Sequence, residues 1–296
     1  MYSVLAVLVG ALITGTYGVN SGLSAHVGYV AATVMIHIAG LIGVSIVCLF
    51  RKEQAKPERL PFYYYLGGVI GVGTVYSTTY AFSNLSASLA VALGLLGQTL
   101  ASITVDAVGF LGRKKYPLTA RRLPGVFLAL AGVIVMAENW QANALTMLVA
   151  LVGGALPTIT VSINSELGLR TGAFRSTRIN YITGLATALV VLAVVRPPLG
   201  PAVQGLRAAG PLLALGGGLM GIGVVTGWNT VFPHMQAFAA TLLAFSGQAI
   251  TGVTIDLIRE GSLDIRKLVG TLVLLAGLAL NALLSRPNSF AWQKTL

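Results

Sequence analysis

A chain of 296 residues that is 55% hydrophobic and only 9% charged has too little polar side chain to cover a water-soluble globule, for which about 25% charged is usual. The net charge of +11 would suggest a nucleic-acid partner in a soluble protein, but here Lys and Arg sit in loops between apolar runs, so the charge is assigned to membrane topology and nucleic acid is excluded. One cysteine, Cys48, and three histidines leave no disulfide framework and no metal-ligand spacing.

Ten apolar runs are long enough for a hydrocarbon core of about 30 Å: residues 3–22, 28–50, 62–83, 86–110, 123–139, 144–163, 174–195, 211–232, 235–258 and 267–285. They are continuous, unlike the alternating strands of a membrane barrel. The breaks between them are clear. RKEQAKPERLP closes span 2, GRKKYPLTARRLP separates spans 4 and 5, and RPPLGP ends span 7. No basic n-region precedes span 1, so it is expected to stay in the protein.

Orientation follows from Lys and Arg. With a cytoplasmic N-terminus, the inside loops of the first half hold Arg51, Lys52, Lys56, Arg59, Arg113, Lys114, Lys115, Arg121 and Arg122, and its outside loops hold none. The second half divides evenly, with Arg170, Arg175, Arg178, Arg286 and Lys294 inside against Arg196, Arg207, Arg259, Arg266 and Lys267 outside. The first half therefore sets a topology with both termini cytoplasmic.

The halves, 1–140 and 141–296, resemble each other. GALITGTYGVNSGL (10–23) matches GALPTITVSINSEL (154–167), and GGVIGVG (67–73) matches GGLMGIG (217–223). LLGQTLASITVDAVG (95–109) and SGQAITGVTIDLIRE (246–260) share Gly-Gln followed by Thr-x-Asp, and RRLPGVFLALAG (121–132) matches RKLVGTLVLLAG (266–277). Each half has five spans, an odd number, so the second copy crosses the membrane in the opposite sense. The expected fold is all-α and integral to the membrane: ten transmembrane helices forming two inverted-topology five-helix repeats. Such repeats are a recurrent design of secondary transporters.

Polar groups at membrane depth are costly unless they are paired or face a cavity. Gln98 and Gln248 occupy matching central depths, and Gly94, Gln98 and Ser102 form a small or polar stripe at four-residue spacing. Either they bond neighbouring helices or they contact substrate. Tyr17, Tyr76, Tyr80, Trp228 and Asn229 are the other candidates for a substrate pocket. Asp106, Asp256 and His37 are candidates for gating or proton coupling, weighed against an ion pair or a hydrogen bond to a neighbouring helix end for the aspartates and a hydrogen bond to a neighbouring helix for the histidine. Asn20 and Asn164 read as C-terminal caps of spans 1 and 6. Tyr63, Tyr64 and Tyr65 read as an interfacial belt, and Gly71 and Gly221 as helix-packing positions within glycine clusters.

The Asn-x-x-Leu near the end of span 1, Gly-Gln-x7-Asp in span 4 and the basic loop leading through Arg-Leu-x-Gly into span 5 resemble the YdcZ-type branch of the drug/metabolite transporter superfamily, in a fused two-repeat form. The resemblance covers nearly all of the chain. It implies a ten-helix exporter in the inner membrane of a bacterium. One departure is that Thr16 and Thr160 stand where such proteins are expected to carry glutamine.

The function expected is a secondary transporter, an exporter of a small metabolite or drug-like compound working by alternating access. No Walker-type motif is present, so ATP is not the direct drive, and no cofactor is expected beyond a coupling proton. No acidic residue sits at the centre of a span, which favours a neutral or zwitterionic substrate over a cation. A passive channel or facilitator and a quaternary-ammonium multidrug exporter are the alternatives. An enzyme acting on lipid lacks the convergent His and acidic residues it would need. The partners expected are the small-molecule substrate and the lipid bilayer, with the protein a monomer or homodimer.

Overall fold

The computed structural model describes residues 2–50, 60–108, 123–136, 144–231 and 237–284, less the side chains of Asp106, Asn229, Thr230, residues 237–242 and Ala282. The described residues form ten α-helices and one short 3-10 turn: α1 (Tyr2–Val27), α2 (Tyr29–Phe50), the turn at Phe62–Tyr65, α3 (Leu66–Asn84), α4 (Ala87–Val108), α5 (Leu123–Met136), α6 (Ala144–Thr171), α7 (Ala173–Val195), α8 (Leu199–Val231), α9 (Ala237–Glu260) and α10 (Ile265–Leu284). Six of them, α1, α2, α4, α6, α7 and α8, are long and apolar enough to cross a membrane.

Backbone polar groups cannot be left open in lipid, and helices satisfy them within one segment. The hydroxyls follow the same rule. Thr33, Thr78, Thr99, Thr104 and Thr254 each donate to the carbonyl four residues back in their own helix. Large apolar side chains cover the outside of the bundle: Leu49, Phe127, Val190, Val194 and Leu212 are all more than half exposed. A surface of this kind fits hydrocarbon and would aggregate in water.

Three sequence expectations are corrected. Helices α1 and α6 do not stop at Asn20 and Asn164. They run two turns further, to Val27 and Thr171, and end at Gly28 and Gly172, whose φ angles of 79° and 95° suit glycine. The asparagines are therefore interior helix residues and not caps. The RPPLGP segment is only partly a loop. Arg196 ends α7 in the left-handed region, and a helix resumes at Leu199, bending at Gly210 (φ 74°) ahead of Pro211. Within the 3-10 turn, Tyr63 and Tyr65 are exposed as a belt requires, but Tyr64 is buried beneath the Arg170 guanidinium, 5.3 Å from the ring centre.

The packing of one half is repeated by the other. Helix α1 lies on α8 and α9, and its counterpart α6 lies on α3 and α4. Helix α2 contacts α7, α4 contacts α9, and α5 contacts α10, so each of these helices meets its own counterpart. Close approach is set by glycine. A Cβ at Gly10 would overlap the Ala244 carbonyl, and one at Gly154 the Gly94 carbonyl. A Cβ at Gly97 would overlap the Leu151 carbonyl, and one at Gly247 the Val7 carbonyl.

The glycine cluster of α3 divides into tight and open positions. A Cβ at Gly68 would run into the Asn180 carbonyl and the Gly184 nitrogen of α7, and Gly218 stands likewise against Ile36 and Gly40 of α2. Gly221 packs under the Tyr181 hydroxyl. Gly71, read from sequence as a packing position, has room: the nearest atom to its Cβ would be Asn180 Oδ1, 3.9 Å away. Gly71→Ala is therefore expected to keep or slightly raise the melting temperature, because alanine favours helix by about 1 kcal/mol. Gly68→Ala is expected to lower stability by about 1–3 kcal/mol, the range for overpacking. Equal melting temperatures for the two variants in detergent would contradict this division.

Candidate functional site

A small cavity lies where α1, α3, α4, α6 and α9 meet, toward the end of the bundle at which α1 and α3 finish and α4 begins. Tyr17, Thr78, Phe82, Gln98 and Gln248 line it, with Ala81, Ala90, Val91, Gly94, Ala150 and Gly154 completing the wall. It has room for about one water molecule.

The Gly-Gln pair in each half explains how the glutamines reach the cavity. Gly97 and Gly247 bring their helices against the backbones of α6 and α1. One residue on, the Gln248 carbonyl accepts from Thr14 Oγ1 at 3.2 Å, and the Gln98 carbonyl is 3.5 Å from Thr158 Oγ1. Threonine four residues after a glycine of α1 or α6 thus braces the glutamine of α9 or α4. The Gln248 side chain is buried, and its Nε2 has no hydrogen-bond partner among the described residues. A buried donor left open costs about 1–3 kcal/mol.

Tyr17 meets Phe82 edge to face, with ring centres 6.0 Å apart. The Arg259 guanidinium lies over the Phe82 ring at 5.5 Å. Asp256, one turn earlier on α9, is buried and turns both carboxylate oxygens to the start of α4. The Ala87 N–H donates to Oδ1 at 2.7 Å and the Ser88 N–H to Oδ2 at 2.8 Å. Two open helical N–H groups are satisfied and a negative charge stands at the positive end of the α4 dipole. Among the described residues, no charged side chain lines the cavity.

The sequence candidates separate in space. Tyr17, Gln98 and Gln248 come together in the cavity. Tyr76 and Tyr80 instead pack on Tyr29, with ring centres 5.6 and 5.5 Å away, and Asn84 Nδ2 donates to the Tyr29 hydroxyl. Ser102 is exposed on α4 and does not reach the cavity. Trp228, like Leu5 and Leu243, packs on the cluster of Ala6 and Val231 near the opposite end of the bundle. The Asp106 and Asn229 side chains lie outside the described residues. His37 sits at the α2–α7 crossing: its Nδ1 is 2.7 Å from the Thr33 carbonyl and its ring faces Tyr181 edge on. Its counterpart Tyr181 donates to the Gly218 carbonyl at 3.1 Å. Sequence reasoning missed Thr78 and Phe82. Both belong to an apolar span and carry no polarity out of keeping with it, and only the helix arrangement shows which face they present.

Trp228 gains meaning from the repeat. In the register that pairs GGVIGVG with GGLMGIG, Trp228 is the counterpart of Thr78, and in the register that pairs residues 10–23 with 154–167, Ala6 is the counterpart of Ala150. Thr78 and Ala150 border the cavity, whereas Trp228 packs on the cluster of Ala6 and Val231. An indole thus stands at the position equivalent to a cavity-lining threonine.

The family described as "Putative inner membrane exporter, YdcZ" matches twice, over residues 1–135 and 145–280. A crystal structure, described only as that of a protein, superposes with a TM-score of 0.62 over 96% of each chain at 15% identity, a likeness that shows the fold alone. No curated protein matches. Matched over both of its halves, and built of apolar helices, the chain belongs to the YdcZ family of the drug/metabolite transporter superfamily, as a two-repeat, multi-pass inner membrane exporter.

Proposed function

We propose that this chain is a secondary exporter of a small molecule, in which two inverted five-helix halves, 1–140 and 141–296, expose the cavity at Tyr17, Gln98 and Gln248 to one membrane face and then the other. The observation that carries the reading is the meeting of matching glutamines, one from each half, in a single cavity. The exchange of partners between α1 and α6 supports an inverted repeat, since each repeats the other's contacts with the halves switched. Inverted halves can exchange conformations, which moves the opening from one face to the other. The Lys and Arg distribution supports cytoplasmic termini, and in that orientation the cavity lies toward the outer face. Trp228 then stands at the matching position toward the cytoplasm, and transport requires Trp228 to withdraw when Phe82 and Tyr17 close inward.

The reading is tested in proteoliposomes. A solute identified by its stabilisation of the purified protein should accumulate against its own gradient when a proton gradient is imposed. A passive channel would only equilibrate it. Gln98→Ala and Gln248→Ala are each expected to lower flux at least tenfold, with normal extraction and gel-filtration behaviour. Wild-type flux in both variants would remove the glutamines from the path.

A further inference from the structure

The cavity carries information about the charge of its ligand. The inference drawn from it rests on the reading that this cavity is the site of the transported molecule.

Its polar groups are Tyr17, Thr78, Gln98 and Gln248, all uncharged. The Thr78 hydroxyl already donates to the Thr74 carbonyl at 2.7 Å, so what it still offers is acceptor capacity. Gln248 offers the reverse, a buried Nε2 donor with no partner. A ligand presenting a carbonyl-type acceptor removes the cost of that open donor.

A cation finds less here. Cation binding in an apolar site needs a carboxylate or a free aromatic face. The nearby carboxylate, Asp256, has both oxygens held by the Ala87 and Ser88 N–H groups. The Phe82 ring already carries the Arg259 guanidinium. A positive ligand would therefore meet Arg259 and the positive end of α4 with no free negative group among the described residues. The walls also limit size, because Gly94, Gly154, Ala90 and Ala150 place α4 and α6 close together.

We infer that, once the helices part, the cavity takes a compact, uncharged molecule whose carbonyl oxygen accepts from Gln248 Nε2, and that it rejects small organic cations.

Three probes of similar size separate the possibilities: benzamide, benzyltrimethylammonium and benzoate. Thermal unfolding of the purified full-length protein should show concentration-dependent stabilisation by benzamide and none by either ion. Gln248→Leu should weaken benzamide about tenfold, the worth of one hydrogen bond. Gln248→Glu, read near pH 9 so that a buried carboxyl ionises, should bring stabilisation by benzyltrimethylammonium. Stabilisation of the wild type by the cation, an undiminished benzamide effect in Gln248→Leu, or no effect of any probe overturns the inference. Should Gln248→Leu not fold, the Gln248→Glu arm decides, and no gain for the cation counts against it. Benzamide binding without gradient-driven benzamide flux overturns the export reading alone. Flux that prefers the cation overturns the ligand class alone.

Discussion

Replacing Gly247 or Gly97 by valine should cost the protein its fold. At either position a Cβ would overlap a main-chain carbonyl oxygen, that of Val7 for Gly247 and that of Leu151 for Gly97. Neither neighbour is the end of a flexible side chain, so no rotamer change relieves the overlap. The only response is separation of α9 from α1, or of α4 from α6, and these contacts join the two halves. The expected loss is about 3 kcal/mol or more, at or beyond the upper end of ordinary overpacking. The threonine braces on the adjacent glutamine carbonyls would break with it. Detergent extraction followed by gel filtration reads the outcome, with a sharp fall in monodisperse protein expected for both variants. A normal peak and an unchanged melting temperature would mean that these helices do not approach as described.

Asp256→Ala should destabilise the protein by about 2 kcal/mol or more. Loss of a helix N-cap alone costs about 1 kcal/mol. Here two buried charge-assisted bonds are lost together, and the Ala87 and Ser88 N–H groups would stay buried without acceptors. Asp256→Asn is informative because it keeps the shape. One amide oxygen can still accept, but the amide NH2 would face a backbone donor, so most of the loss should remain. A gating or proton-carrying aspartate behaves differently: its asparagine variant would keep the wild-type melting temperature and change only the pH dependence of flux. Melting temperature and flux measured on the same preparation separate the two roles. The same comparison at Asp106 asks whether the matched residue acts likewise.

Much of this was legible in sequence because lipid is a demanding solvent. Continuous apolar runs predict helices, and the predicted spans coincide with α2, α4 and α7 to within a few residues. The Gly-Gln motif was legible as a pair at matching depth, and the pair does meet in one cavity. The length of α1 and α6 was not. Asn20 and Asn164 suggested caps, but a polar side chain can stay inside a helix when a neighbouring helix offers a place for it. Asn164 Nδ2 donates to Asn180 Oδ1 at 2.9 Å, and the Oδ1 atoms of Asn20 and Asn164 lie where a Cβ on Gly217 and Gly67 would stand. Such an oxygen faces a glycine Cα–H, a weak contact frequent between helices. The partition of the aromatics was hidden for a related reason. Tyr17 and Tyr76 look alike along the chain, and only the crossing of α1 with α3 and α9 turns one into the cavity. Tyr76 is left against Tyr29. For Asp256 a bond to a neighbouring helix end is among the sequence expectations, whereas which helix start supplies it, that of α4 at Ala87 and Ser88, carries no sequence signature.

The pairing of α5 with α10 bears on how such a chain could arise. Gly125 faces Asn281, and Gly270, the counterpart of Gly125, faces Met136, the counterpart of Asn281. Gly132 faces Leu274, and Gly277 faces Ala129, again with roles exchanged. A contact in which each surface presents the same patch to the other is isologous, and it needs no covalent connection between its two sides. The glycines that hold this pair together would serve equally well on two separate polypeptides. Fusion of a duplicated gene would then preserve an existing interface, and afterwards each copy would be free to change alone: one carries Thr78 beside the cavity, and the other carries Trp228 at the matching position.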